Sequence, residues 1–238
     1  MNKEKLIRII YPSKCPLCGN IVPLDRDYCS CYKETVRKAE NLCERCGIRK
    51  DRCLCGEEGI ITLPHFTAPF YYDGLIRAKL HNLKFNGRRF EASDFAPHMA
   101  KSFASAFPSA KVDVVTFVPM TVGSEKKRGF NQSRLFAEKT AKKLGLPCAA
   151  LLLKKEETET QHSLNRKNRM KNLTNCFETE NEALVKGKKV LLVDDIKTTG
   201  KTLHECCKAL LSAGAEDVFC LSAAVTEFPP ESDEELFL

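Results

Sequence analysis

Two acids side by side, Asp194 and Asp195, stand between an apolar run, Val190 to Val193, and a turn of small and hydroxyl residues, Thr198-Thr199-Gly200, that continues into Lys201 and Thr202. The run reads as a buried strand, and the order strand, turn, helix puts the turn at a carboxyl edge, where open α/β sheets bind ligands. The turn supplies main-chain amides, three threonine hydroxyls and the positive end of a helix, a set that suits a phosphate. The acids cannot share that phosphate without repulsion, so they belong to hydroxyls or to a metal. A 5-phosphate, ribose hydroxyls and a magnesium-bound pyrophosphate on one molecule meet all these demands, which describes phosphoribosyl pyrophosphate (PRPP). Gly200-Lys201-Thr202 also matches the end of a nucleotide P-loop, but that pattern needs a glycine where Asp195 stands. A carboxylate there would oppose a polyphosphate. An ordinary capped turn would account for one Thr or Asp, not for the whole set.

The second chemical signal is cysteine. Of thirteen, eight precede residue 56: Cys15, Cys18, Cys29, Cys31, Cys43, Cys46, Cys53 and Cys55. They form two C-x-x-C and two C-x-C pairs, and Gly19 and Gly47 follow the C-x-x-C pairs, as metal knuckles require. Four pairs can hold two structural zinc ions. Sequential grouping is simplest, Cys15, Cys18, Cys29 and Cys31 for one ion and Cys43, Cys46, Cys53 and Cys55 for the other, with a cross-braced arrangement as the alternative. A disulfide framework would need an oxidising compartment, and the opening stretch 1–11 is too short and broken for a signal-peptide core. Some sixty residues with few large apolar side chains would depend on the metal to fold. Cys148, Cys176, Cys206, Cys207 and Cys220 lie in apolar runs and read as core.

The elements that must position these groups follow from periodicity. Helical patterns cover 74–85, 92–107, 132–144 and 202–213, and strand-like runs cover 112–118, 149–153, 189–193 and 217–224. Alternation of the two predicts an α/β fold with a mostly parallel sheet flanked by helices. The chain divides into a cysteine-rich module (1–60), the α/β domain (61–228) and an acidic tail (229–238). The net charge of +7 is gathered before residue 180. Such a balance can attract a polyanion, although a solvated surface explains charge alone at least as well. No Trp and five Tyr leave little stacking platform for single strands. No apolar run reaches eighteen residues, so membrane insertion is not expected and the cytoplasm is the expected location.

With these residues in hand, the chain resembles the ComF (ComFC) family of type I phosphoribosyltransferase-like proteins with an N-terminal double zinc ribbon. The likeness runs through Tyr72-Asp73-Gly74, Leu83-Lys84-Phe85-Asn86-Gly87-Arg88, Val118-Pro119, Arg128-Gly129-Phe130-Asn131-Gln132, Gln161-His162-Ser163-Leu164 with Arg166, Arg169 and Asn172, and the acidic-pair loop. The resemblance implies that Asp194 and Asp195 contact the ribose hydroxyls of PRPP. Thr198, Thr199, Gly200, Lys201 and Thr202 would cradle the 5-phosphate, with Lys197 among the PRPP-binding residues. Val118, Pro119 and Met120 would face the pyrophosphate, with Arg128 as its charge partner. Residues 154–176 are similar to a loop that covers the site, and Arg166, Lys167, Arg169 and Lys171 would meet the pyrophosphate there. His162 lies in that segment, whereas His81 reads as structural. Phe117 departs from the pattern, standing where relatives often carry proline. The resemblance further implies a part in handling incoming single-stranded DNA in natural competence, with a competence helicase as a docking partner. An active phosphoribosyltransferase with a nitrogenous acceptor, as in nucleotide salvage, is the alternative.

Overall fold

Four consecutive residues, Val190 to Val193, are wholly buried, so a strand through them must be covered on both faces. The computed structural model describes residues 12, 14–15, 19–24, 35–85, 87, 89–155 and 176–228. Among them the strands are β1 (His65–Thr67), β2 (Phe70–Tyr71), β3 (Val114–Phe117), β4 (Leu152–Lys154), β5 (Phe177–Thr179), β6 (Lys189–Lys197) and β7 (Asp217–Val225). The helices are α1 (Gly74–Phe85), α2 (Ala92–Ala106), α3 (Val122–Arg128), α4 (Gln132–Leu144) and α5 (Lys201–Ser212). β3, β6 and β7 lie side by side, and β1 and β2 share the far edge of β7; every pair in this sheet is parallel.

Alternate residues of β6 and β7 serve opposite faces, as the two-residue period of a strand requires. Leu191, Val193, Phe219 and Leu221 pack with Leu80 and Leu83 of α1, Phe95 and Met99 of α2 and Phe136 of α4. Val190, Leu192, Val218 and Cys220 pack with Leu203, Cys206, Cys207 and Leu210 of α5. The three buried cysteines are therefore core, as expected. Burial of a Leu-sized side chain contributes about 1.5–3 kcal/mol, so these two clusters hold the sheet between its helices.

The bounds of α1 and α4 coincide with the periodic segments, and α2 and α5 differ by a residue. Three differences have physical causes. β6 runs on to Lys197 because β7 pairs with it as far as Lys197↔Val225, whereas β3 stops at Phe117↔Val193. The acids therefore lie on a strand whose β3 side is open. The 149–153 run does not form one strand of the sheet. Cys148 bridges Val115, and the chain then turns away so that β4 can pair antiparallel with β5. α3 shows no apolar stripe in sequence and is fixed by its ends: Thr121 caps it by accepting from the Ser124 amide at 3.2 Å, and Gly129 closes it at φ 80°.

Candidate functional site

Asp194 is only 7% exposed. Its Oδ1 accepts from the Ser133 hydroxyl at 2.8 Å and from the Asp195 amide at 2.9 Å. Burial, with the Asp195 charge beside it, pushes its carboxyl up to about 8, against the pull of those two donors. Asp195 is half-buried, and its Oδ1 accepts from the Ile196 amide at 2.7 Å. The pair is thus asymmetric, with one inner acid anchored to α4 and one outer, half-buried acid beyond the end of β3.

Lys84 lies near the acids, and Arg128 lies near Lys84. Lys84 of α1 is held below the usual lysine range by burial, while Asp195 and Asp194 favour its charge and Arg128 opposes it. Arg128, at the end of α3, donates to Gln132 Oε1 at 2.9 Å and lies against the Met120 sulfur at 3.8 Å. Burial raises the Tyr72 phenol, Arg77 opposes that rise, and Asp195 adds to it. An anion near the acids would therefore be met by positive charge from α1 and α3.

The segment 128–133 explains itself residue by residue. Arg128 touches the 118–121 loop, and Gly129 makes the left-handed turn. Phe130 is buried under the Arg89 guanidinium at 4.6 Å, and Arg89 also donates to the Gly129 carbonyl at 2.9 Å. Asn131 caps α4 through the Arg134 amide at 3.3 Å and donates to the Val118 carbonyl at 3.0 Å. Gln132 holds Arg128, and Ser133 holds Asp194. Six neighbours thereby tie the 118–121 loop to the acids. Phe117 closes β3 with a buried ring under Arg134 at 5.8 Å, so a side chain in place of proline fills core.

The turn after β6 ends at Gly200, whose φ of 85° only glycine adopts without strain. No side chain caps α5 at this glycine, and the Lys201 amide donates to Thr199 Oγ1 at 3.4 Å. Thr198, Thr199, Lys201 and Thr202 are half-exposed around the start of a twelve-residue helix whose N-cap glycine offers no side-chain cap, an arrangement that suits an anion. Lys197, expected among the PRPP-binding residues, has its side chain buried beside this turn. The side chain is 3% exposed, with its ammonium on the Thr198 carbonyl at 3.3 Å and 5.5 Å from the Phe66 ring centre. Burial lowers it to about 8, partly offset by Cys46.

Cys46 belongs to a second site. The sulfurs of Cys43, Cys46, Cys53 and Cys55 all lie within 4.8 Å of one another. Cys43 and Cys55 are 3.7 Å apart, Cys46 and Cys53 3.7 Å, and Cys53 and Cys43 3.5 Å. A tetrahedral zinc with Zn–S of about 2.3 Å sets sulfurs about 3.8 Å apart, so this donor set fits the ion. The thiols also compete for charge. Burial would raise Cys43, yet the Cys46 and Arg45 amides and neighbouring sulfurs bring it down to about 7, while burial and the same sulfurs push Cys55 up to about 12. A divalent cation would resolve that competition. The Gly47 amide donates to the Cys43 carbonyl at 2.9 Å, with Gly47 at φ 72°, the knuckle geometry its position after C-x-x-C requires.

Residues 131–235 match the phosphoribosyl transferase domain family. The DNA utilization protein YhgH of Salmonella typhi is 31% identical over 229 residues, covering 88% of this chain and 96% of that protein. The chain belongs to the ComF family. Competence protein ComFC of Bacillus subtilis is 26% identical over 201 residues, covering 84% of this chain and 72% of that protein. Among solved structures, adenine phosphoribosyltransferase of Thermoanaerobacter pseudethanolicus aligns with 56% of this chain and 81% of its own, at 18% identity and a TM-score of 0.36.

Within this ComF protein the fold brings Asp194, Asp195, Arg128, Met120 and the Thr198–Thr202 turn to one sheet edge, and groups four of the eight cysteines as a tetrad. Cys15 is buried against the core, with its knuckle partner Gly19 at φ 79°. Cys18, Cys29 and Cys31 lie outside the described residues. So do Gln161, His162, Ser163, Leu164, Arg166, Lys167, Arg169, Lys171 and Asn172 of the covering segment, and the 229–238 tail. His81 is exposed against the Phe85 ring at 4.6 Å, a structural contact. Sequence reasoning assigned no task to Lys84, Gln132 or Ser133. Lys84 and Gln132 sit inside quoted family segments and Ser133 directly after one, which was the available signal. Among the described residues no helix is long and apolar enough to cross a membrane.

Proposed function

We propose that this protein binds PRPP with magnesium at the β6–α5 turn and serves, in the cytoplasm, in the handling of single-stranded DNA during natural competence. The observation that carries the binding half is the asymmetric acid pair on the open edge of β6, followed by a helix start whose N-cap is a glycine, Gly200. Asp195 would engage the ribose hydroxyls, with Asp194 setting its orientation from behind. Val118, Pro119 and Met120 would border the pyrophosphate, and Lys84 and Arg128 would face its charge. Magnesium, arriving with the pyrophosphate, would neutralise the leaving group's charge. Two zinc ions are proposed for the cysteine module, one of them in the Cys43, Cys46, Cys53 and Cys55 tetrad. The competence half is supported by relatives whose names speak of DNA utilization and competence.

Lys84 near the acids, with Arg128 near Lys84, also favours the second reading, transfer of ribose 5-phosphate to a nitrogenous acceptor. Cations fixed beside a departing pyrophosphate stabilise developing charge at no cost of reorganisation.

Titration calorimetry with PRPP and magnesium tests the binding half. One site is expected in the wild type, and Asp195→Asn should weaken it roughly 10–100-fold, the usual cost of hydrogen bonds to a charged group. A wild type that gives no heat of binding sinks the proposal. For the DNA half, a labelled single strand should bind with log K falling linearly against log salt. Absence of binding at low salt would remove it.

A further inference from the structure

Lys197 stands between the acid pair and the phosphate turn, but its side chain runs into the junction with the cysteine module. A Cβ added to Gly47, next to Cys46, would come within 3.0 Å of Lys197 Cε; a Cβ added to Gly200, at the start of α5, would come within 3.2 Å of the same atom. The lysine stem is therefore wedged between one glycine of each module. Its ammonium is buried and holds the Thr198 carbonyl at 3.3 Å. Cys46 lies near enough to act on it electrostatically.

A buried ammonium is costly without a counter-charge. Four thiolates around one divalent ion carry a net charge of −2 and would supply it. We infer that Lys197 is the charge partner of the metal held by Cys43, Cys46, Cys53 and Cys55, and that through Lys197 the metal's occupancy sets the shape of the Thr198–Thr202 turn. The second half rests on the proposal that this turn binds PRPP. Metal loading attracts the ammonium and fixes the Thr198 carbonyl through it. Metal loss removes most of that negative charge, leaving Cys43 as the most acidic thiol, and deprives the lysine of its full partner. The coupling must run both ways in affinity, so a ligand on the turn should also tighten metal binding, seen as slower release.

The test uses the zinc-loaded full chain and a zinc-selective dye that reports metal release. Lys197→Met, of similar length and uncharged, should release zinc about tenfold faster, the lower range for loss of a group supporting metal ligands. PRPP with magnesium should slow release several-fold in the wild type and leave the Lys197→Met rate unchanged. Equal release rates for wild type and variant without PRPP overturn the charge-partner role. Equal slowing by PRPP in both overturns the coupling. If PRPP does not bind the wild type, the proposed function fails while the PRPP-free comparison still decides the role of Lys197. Should Lys197→Met not fold, the wild type alone decides, because release that bound PRPP leaves unchanged overturns the linkage.

Discussion

At the scale of single residues, the inner acid has the clearest consequence. A free aspartate titrates near 3.8, and Asp194 is raised to about 8 by burial beside Asp195. Below pH of about 4 the folded and unfolded chains both hold its proton, and no penalty exists. As pH climbs from there towards 8, the unfolded chain releases the proton and the folded chain keeps it, so stability falls; above 8 both forms are ionised and the slope ends. Asp194→Asn removes this dependence. Between pH 5 and 7 the wild type should lose about 1–2 kcal/mol more unfolding free energy than the variant, from a ceiling of about 1.4 kcal/mol per pH unit. Urea titrations at several pH values, with zinc saturating, measure the difference. Parallel pH profiles for the two proteins would mean that Asp194 is ionised in the fold at neutral pH. Ser133 supplies a second check: Ser133→Ala removes a donor to the ionised form, so the fall in stability should extend to higher pH.

At the scale of elements, legibility tracked length and apolar period. α1 and α4 could be read to the residue because their buried positions recur at helical spacing, Ile76, Leu80 and Leu83 in one and Gln132, Ser133, Phe136, Ala137, Thr140 and Ala141 in the other. α3 has no buried residue at all, so only its capping residues, Thr121 and Gly129, could have betrayed it. β1 and β2, three and two residues long, owe their existence to the β7 edge they join, which no local pattern announces. The acid pair and turn were plain in sequence because adjacent residues carry them. The contribution of Lys84 was not, since it depends on α1 packing beside the sheet's carboxyl end. Gly47 shows how an element is held by a residue's lack of a side chain. A Cβ there would stand 2.9 Å from Phe66 Cδ1 and Cε1 in the core and 3.0 Å from Lys197 Cε, at a left-handed φ of 72°. Gly145, at φ 70°, has nothing within 4 Å of such an atom. Gly145→Ala should therefore cost about 1 kcal/mol from backbone strain alone, and Gly47→Ala about 2–4 kcal/mol once overpacking is added. Thermal melts should show at least twice the loss of Tm for Gly47→Ala, and equal losses would refute the docking contact.

At the scale of the whole molecule, the boundary drawn near residue 60 marks a change of composition, but the packing crosses it. Cys15, Val22 and Val36 share one core cluster with Phe70, Ile76 and Leu80, and Leu42 shares the other with Phe66 and Leu203. The main chain crosses the boundary as well: the Ala39 amide donates to the Pro69 carbonyl at 3.0 Å, Tyr71 to Arg37 at 3.0 Å and Leu63 to Arg45 at 2.8 Å. A module joined in this way cannot melt alone, because its loss would strip β2 of its outer partner and open both clusters to water. Metal that stabilises the knuckles therefore stabilises the sheet by mass action, by about 4 kcal/mol when free metal exceeds its dissociation constant a thousandfold. For a chain of this size that corresponds to a Tm shift on the order of 10 °C. Calorimetry should record one endotherm with metal and one endotherm at lower temperature after chelation. Two separated endotherms, with the upper one insensitive to the chelator, would establish instead that the α/β domain stands on its own. Deleting residues 1–60 should accordingly yield a chain that fails to fold, so DNA and PRPP binding are to be compared in full-length variants.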